Sequence, residues 1–75
     1  MSDNRGAQAL RRRLEKTTQQ DLAKRLGLEQ GRISRYATGK TLPRRAAALA
    51  LKRIGIGIEW WDQPPEQVEA ERRTA

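Results

Sequence analysis

Apolar residues near the start of the chain recur at spacings of three and four, which is the period of an α-helix. Ala7, Leu10 and Leu14 form this stripe, so we expect a first helix over residues 7–16. Residues 1–6 are mostly polar and lack such a period. They are therefore expected to form a disordered arm.

The segment TTQQD predicts the start of a second helix, over residues 18–26. Thr18 and Asp21 have the spacing of a capping box, and the acid also suits the positive N-terminal end of a helix. Gly27 can supply the positive φ that ends a helix sharply. The expected buried face of this helix consists of Leu22, Ala23 and Leu26.

A third short helix is predicted over residues 29–37, with Gly39 closing it. Its expected inward face carries Ile33, Tyr36 and Ala37, whose spacing matches a helix of about 100° per residue. Ala23 on the preceding helix is small, which lets the two helices cross closely.

A fourth, alanine-rich helix is predicted to have Pro43 in its first turn, where proline is tolerated, and to run to Ile54. Its expected core stripe ends at this isoleucine, and Gly55 follows as a natural C-cap. The full stripe is Ala47, Ala50, Leu51 and Ile54.

The stretch IGIGIEWW, residues 54–61, alternates as a strand does, but the alternate residues are glycines, which weaken a strand. A single strand would also have no partner in this chain. We therefore expect a turn followed by a short helix over residues 58–62. Residues 63–75 begin near two prolines and are expected to be a flexible acidic tail.

Together these segments predict an all-α fold, a compact bundle of about five short helices over residues 7–62. The 75-residue chain has neither cysteine nor histidine, so disulfides, transition-metal sites and the commonest catalytic arrangements lack their usual residues. We accordingly expect no enzymatic activity, no cofactor and no metal. No apolar run approaches the length of a membrane span, which predicts a cytoplasmic protein without a membrane partner.

The net charge of +7 is unevenly distributed along the chain. Residues 1–15 carry +2, residues 16–58 carry +8 and residues 59–75 carry −3, which add up to +7. A basic centre favours a polyanionic partner, although solubilising surface charge is the alternative. The arginines at residues 11–13 are read as a solvated helix face rather than a phosphate-binding arm.

The two helices joined at Gly27 form a helix-turn-helix arrangement. Their sequence, TQQDLAKRLGLEQGRISRYATGK at residues 18–40, resembles the phage repressor and Cro-like (XRE-type) DNA-binding domains of bacteria and phages. The resemblance covers about residues 7–62. It implies a lambda repressor-like fold and a transcriptional regulator, a repressor, that binds double-stranded DNA in a sequence-specific manner.

In such a domain the second helix of the motif enters the major groove. The expected outward face of helix 29–37 therefore supplies the base-reading residues, with Arg35 suited to guanine and Gln30 to adenine. Glu29, at the start of the helix, is assigned to the helix dipole. The full base-reading set is Gln30, Gly31, Arg32, Ser34 and Arg35.

Contacts to DNA phosphates are expected at the ends of the motif helices. The resemblance implies this role for Gln19, at the start of the second helix, where backbone N–H groups also point outward. Lys40 and the arginines that open the fourth helix are further candidates. The complete phosphate-binding set is Gln19, Thr38, Lys40, Arg44 and Arg45.

The hydrophobic ending is expected to close the core through Ile56, Ile58 and Trp61, with Trp60 pointing outward. The resemblance implies a homodimer on a palindromic operator, formed through this region. Ile56, Ile58 and Trp60 are the candidate surface residues. The alternative function is an antitoxin or phage regulatory module that mainly binds another protein through Trp60 and the tail.

Overall fold

The computed structural model describes residues 3–66, which form four α-helices and one short 3-10 helix. We number the α-helices in chain order: α1 is Arg5–Leu14, α2 is Gln19–Leu26, α3 is Gln30–Ala37 and α4 is Arg45–Lys52. The 3-10 helix is Ile58–Asp62, and no strand occurs between residues 3 and 66. The all-α class and the number of short helices agree with the prediction.

Helix α1 begins two residues earlier than predicted and ends at Leu14 rather than at residue 16. Asn4 is its N-cap, and the side-chain oxygen of this buried residue accepts a hydrogen bond of 2.7 Å from the N–H of Ala7. Asn4 is therefore a structured residue, and Arg5 and Gly6 are helical, in contrast to the disordered arm expected over residues 1–6. Residues 1 and 2 of that arm lie outside the described part of the chain.

The helix-turn-helix segment forms as predicted. The Thr18 hydroxyl accepts a hydrogen bond of 3.1 Å from the N–H of Asp21, which caps α2. Gly27 ends α2 with φ +67°, in the left-handed region that favours glycine. Glu29 is the N-cap residue of α3 but makes no side-chain capping bond.

Helix α4 is shorter than expected at both ends. It begins at Arg45, with Arg44 as its N-cap, so Pro43 precedes the helix instead of lying in its first turn. It ends at Lys52, and Gly55 follows with φ +91°. The 3-10 helix then occupies the predicted residues 58–62.

The core is built around four fully buried aliphatic side chains, one from each α-helix: Leu10, Leu22, Ile33 and Leu51. Ile56 and Trp61 close this core after α4, and the ring of Trp61 meets Tyr36 edge-on at a centroid distance of 6.2 Å. Helix α3 packs against α2 and α1, so its position depends on both.

Ile58 does not close the core, contrary to the prediction, because 40% of its surface is exposed. The 3-10 helix turns Trp61 inward and leaves its first residue, Ile58, at the rim of a surface groove. The match to the terminal hydrophobic residues of the family therefore holds for Ile56 and Trp61, which are buried, but not for Ile58.

The segment after the 3-10 helix packs back on α1. The backbone N–H of Arg5 donates to the carbonyl of Gln63 at 2.9 Å. The side-chain amide of Gln8 both donates to the carbonyl of Glu66 at 2.8 Å and accepts from its N–H. Nε of Arg5 also lies 2.8 Å from a carboxylate oxygen of Glu66. Residues 63–66 are thus fixed on α1, whereas the rest of the predicted tail, residues 67–75, lies outside the described residues.

Candidate nucleic-acid interface

Helix α3 presents one face to the core and one to solvent. Ile33, Tyr36 and Ala37 are buried against the rest of the bundle. The residues predicted to read bases lie on the other side: Gln30, Gly31, Arg32 and Arg35 are exposed and Ser34 is half-buried. The side chains that could reach a groove therefore stand on one surface of one helix.

Gly31 has open space around it. A Cβ atom built at this residue would meet only the Nη1 atom of Arg35, at 3.7 Å, which is an ordinary van der Waals contact. Its φ is not in the left-handed region, because the only positive-φ glycines among the described residues are Gly27, Gly39 and Gly55. The packing of the protein itself therefore does not require glycine at residue 31.

A basic cleft of about 360 Å³ lies between α3 and the start of α4. Three arginines line it, Arg32 and Arg35 from α3 and Arg44 from the N-cap of α4, together with Leu28, Tyr36, Thr41, Leu42, Ala46 and Ala47. No acidic residue is part of this lining. The cleft therefore concentrates positive charge beside the outward face of α3.

Three of the four arginines of α1 have an acidic partner, which the arginines of α3 lack within residues 3–66. Arg5, Arg11 and Arg12 of α1 lie within ion-pair distance of Glu66 or Asp3. Within residues 3–66, no acid lies within that distance of Arg32, Arg35 or Arg44. The α3 surface thus keeps the charge of its guanidinium groups available to an external anion.

The remaining predicted phosphate contacts fall into two groups. Gln19 is the first residue of α2 and Lys40 is exposed in the loop after α3, so both lie at the ends of the motif helices. The Thr38 hydroxyl instead donates within α3, at 3.2 Å from the Ser34 carbonyl and 3.1 Å from that of Arg35. Because this hydroxyl has one proton, Thr38 is a poorer donor to a phosphate than the prediction assumed.

Arg44 and Arg45, the two candidate phosphate contacts at the start of α4, are both exposed and line different grooves. Arg44 lines the basic cleft, whereas Arg45 lines a separate groove of about 420 Å³ between α4 and the 3-10 helix. This second groove, which we call the apolar groove, also contains Leu42, Pro43, Ala48, Leu49, Ile58, Trp61 and Asp62.

The predicted partner surface of Ile56, Ile58 and Trp60 is not a single surface. Ile56 belongs to the core, with 3% of its surface exposed. Trp60 is half-buried, and the guanidinium carbon of Arg5 lies 4.1 Å from the centre of its ring. Only Ile58 of the three is exposed and lies in the apolar groove.

Two exposed leucines were missed as candidate surface residues. Leu42 is 53% and Leu49 is 45% exposed, and both line the apolar groove with Ile58. Leu49 is two residues from both Ala47 and Leu51, so it points away from the core stripe of α4. The helical period of α4 therefore already indicated that Leu49 is an apolar residue on the surface.

Comparison with known proteins agrees with this geometry. A family model described as "Helix-turn-helix" matches residues 8–61, well over half of the chain. No match was found among curated proteins or solved structures. Between residues 3 and 66, no helix is long and apolar enough to cross a membrane, and no cluster of residues suited to a metal ion occurs. The chain belongs to the helix-turn-helix family of phage repressor and Cro-like (XRE-type) DNA-binding domains, and is a DNA-binding transcription-regulator domain.

Proposed function

We propose that this protein is a sequence-specific repressor that inserts α3 into the major groove of double-stranded DNA in the cytoplasm. The observation that carries the proposal is the outward face of α3, where Gln30, Arg32 and Arg35 are exposed and both arginines lack an ion-pair partner within residues 3–66. A solvated helix normally mixes acids with its bases, but beyond Glu29 the only charged residues of this face are Arg32 and Arg35.

The chemistry of these side chains suits base edges. The guanidinium of Arg35 can donate two hydrogen bonds to O6 and N7 of guanine, and the amide of Gln30 can pair with N6 and N7 of adenine. Arg32 and Ser34 flank them. The open backbone at Gly31 allows α3 to lie closer to the groove than a larger residue would.

Phosphate contacts position the domain on either side of α3. Gln19 and the free N–H groups at the start of α2 serve one DNA strand, and Lys40 with Arg44 serves the other. Arg45 is not part of this set, because it lines the apolar groove. Thr38 contributes through van der Waals contact, since its hydroxyl proton is engaged within α3.

Selection of bound sequences from a random DNA pool tests the proposal. We expect one enriched motif, with Arg35→Ala removing the preference at one base position per half-site at a cost of about 1–3 kcal/mol. Arg53→Ala is the matched control, because it removes the same charge from an exposed residue at the end of α4. No enriched sequence for the unaltered protein would overturn specific recognition, and an equal loss in both variants would overturn base reading by Arg35.

Repression itself is tested in a reporter whose promoter overlaps the selected motif. Occupancy of the promoter by the bound protein should lower expression, and Arg35→Ala should restore it. An increase in expression caused by the unaltered protein would show an activator instead.

We further propose a homodimer on DNA, formed through the apolar groove rather than through Ile56 and Trp60. Leu42, Leu49 and Ile58 are the exposed large hydrophobic residues among residues 3–66, and all three line this groove. Arg45 and Asp62 lie in the same lining with opposite charges. In a two-fold contact each residue i meets residue j of the other copy, so Arg45 can face Asp62 of the partner subunit.

Sedimentation with and without the selected DNA tests this dimer. Arg45→Asp and Asp62→Arg should each weaken dimerisation because they place like charges together, whereas the double variant should restore it. Leu49→Lys should weaken it in every background. A monomer at all concentrations, both free and on DNA, would overturn the dimer. The alternative of a protein-binding module centred on Trp60 is not favoured, since Arg5 covers that ring.

A further inference from the structure

One guanidinium group joins three separate parts of the domain. Nη1 of Arg11, in α1, donates a hydrogen bond of 2.8 Å to the carbonyl of Ala37, the last residue of α3. The same group holds the carboxylate of Asp3 in a two-point contact, with N–O distances of 3.0 and 2.9 Å. Arg11 therefore links the segment before α1 to the end of α3.

The bond to Ala37 supplies a hydrogen-bond donor to one of the last carbonyls of α3. The last four carbonyls of an α-helix have no partner within the helix, and a cationic donor there also interacts favourably with the helix dipole. The planar fork of arginine can serve the carbonyl and the carboxylate at once, which the single ammonium of lysine does not reproduce. Arg11 thus fixes the C-terminal end of α3 against α1.

The position of α3 is sensitive to this contact. Helix α3 is eight residues long and packs against α2 and α1. On the α2 side the turn through Gly27 defines the start of α3, whereas Arg11 acts at its far end. A small rotation of that end would displace Arg35, which lies two residues before Ala37.

Arg11 is poorly suited to contact DNA itself. Its charge is paired with Asp3, and the hydrogen bond from Arg11 holds the pKa of that carboxyl below its ordinary value. A phosphate approaching the guanidinium would meet the carboxylate beside it. The pair therefore favours a structural link over a phosphate contact.

We propose that Arg11 is a positioning residue for DNA recognition, which sets the orientation of α3 through the carbonyl of Ala37 without touching DNA. This inference rests on the proposed function, because it concerns the orientation in which α3 meets the groove. Helix α1 would then influence the DNA sequence preference indirectly, by holding α3 in place through Arg11.

The test measures affinity for the selected motif and for unrelated DNA over a range of salt concentrations. For Arg11→Ala we expect about a threefold to tenfold loss on the selected motif, in line with the net contribution of one partly exposed hydrogen bond. Affinity for unrelated DNA and the slope against salt concentration should stay unchanged. Asp3→Asn should also weaken the selected complex, by a smaller factor, since it loosens the guanidinium.

A direct phosphate contact gives the opposite pattern. Arg11→Ala would then weaken both DNAs and lower the salt slope by about one ion. Asp3→Asn would strengthen binding by freeing the guanidinium, and Arg11→Lys would bind as the unaltered protein does. Any of these results overturns the positioning role, as does an Arg11→Ala variant that binds the selected motif at full affinity.

Two measurements keep this test separate from folding and from the proposed function. Thermal unfolding shows that each variant is folded at the assay temperature, and Asp3→Asn, a change at an exposed residue, remains informative if Arg11→Ala does not fold. Arg53→Ala controls for the loss of one positive charge. If the unaltered protein selects no motif, the proposed function fails; if it selects one and Arg11→Ala binds it equally well, only this inference fails.

Discussion

Two glycines lie inside α-helices of this domain, and their surroundings are opposite. At Gly6, in α1, an added Cβ would overlap the ring of Trp61 at its Cδ2 atom. At Gly31, in α3, the nearest atom would be Nη1 of Arg35 at 3.7 Å. Each is the second residue of its helix, so its cost relative to alanine is at most the value of about 1 kcal/mol that applies to a helix interior.

The contrast indicates two different reasons for a glycine: packing within the protein at Gly6, and contact with DNA at Gly31. Gly6 lets the backbone of α1 approach the buried ring of Trp61, which in turn meets Tyr36 of α3. Gly31 serves no contact of that kind. Its cost is not offset by packing within the described residues, which supports the proposal that its small size matters to the DNA that α3 approaches.

The largest expected effect is that of Gly6→Ala. The new methyl group would overlap the Trp61 ring, and moving that ring disturbs the closure of the core. Overpacking of this kind costs about 1–3 kcal/mol, more than the gain in helix propensity. Chemical denaturation should show a lower midpoint with the slope unchanged. An unchanged midpoint would show that the ring moves freely and that Gly6 is no more constrained than Gly31.

A double variant attributes this loss to the ring. In a Trp61→Leu background, the smaller side chain leaves room at residue 6, so Gly6→Ala should then be neutral or slightly stabilising. The coupling free energy between the two residues should be about 1–3 kcal/mol, within the range measured for contacting residues. If Gly6→Ala is equally costly in both backgrounds, its effect does not come from contact with Trp61.

Local sequence patterns are sufficient to predict the helix-turn-helix and the outward face of α3. The helix-turn-helix could be predicted because its signals are local: the Thr18 cap, the positive φ at Gly27 and the spacing of Ile33 and Tyr36 all act within a few residues. The outward face of α3 follows from the same helical period. These features required no knowledge of distant parts of the chain.

The two ends of the domain could not be predicted in this way, because they depend on each other across more than fifty residues. Arg5 and Gly6 read as part of a polar arm until Trp61 and Gln63 are placed beside them. The exposure of Ile58 likewise depends on how the 3-10 helix turns against α4. Local patterns carry no information on such pairings.

The next largest effect is that of Gly31→Ala, and its sign for stability is opposite to that of Gly6→Ala. The added methyl group meets only ordinary contact, so the free domain should gain up to about 1 kcal/mol from helix propensity. On the proposed reading, the same change weakens specific DNA binding by holding α3 farther from the groove. Unfolding and binding of the selected motif are measured on one preparation. A variant that is more stable and binds equally well would reduce Gly31 to a tolerated helix defect.

The smallest expected effect concerns Arg11, the residue that connects these two helices. Its hydrogen bond lowers the pKa of Asp3, so folding favours the charged carboxylate. The stability from this pair is present above the ordinary pKa of an aspartate and is lost as the pH falls through the lowered value, below about pH 4. Because both side chains are partly exposed, the contribution is at most about 1 kcal/mol.

Unfolding followed from pH 7 to pH 2 should show Asp3→Asn less stable than the unaltered protein near neutrality, with the difference shrinking in acid. A constant difference across that range would mean that the carboxylate charge does not hold Arg11 at the end of α3.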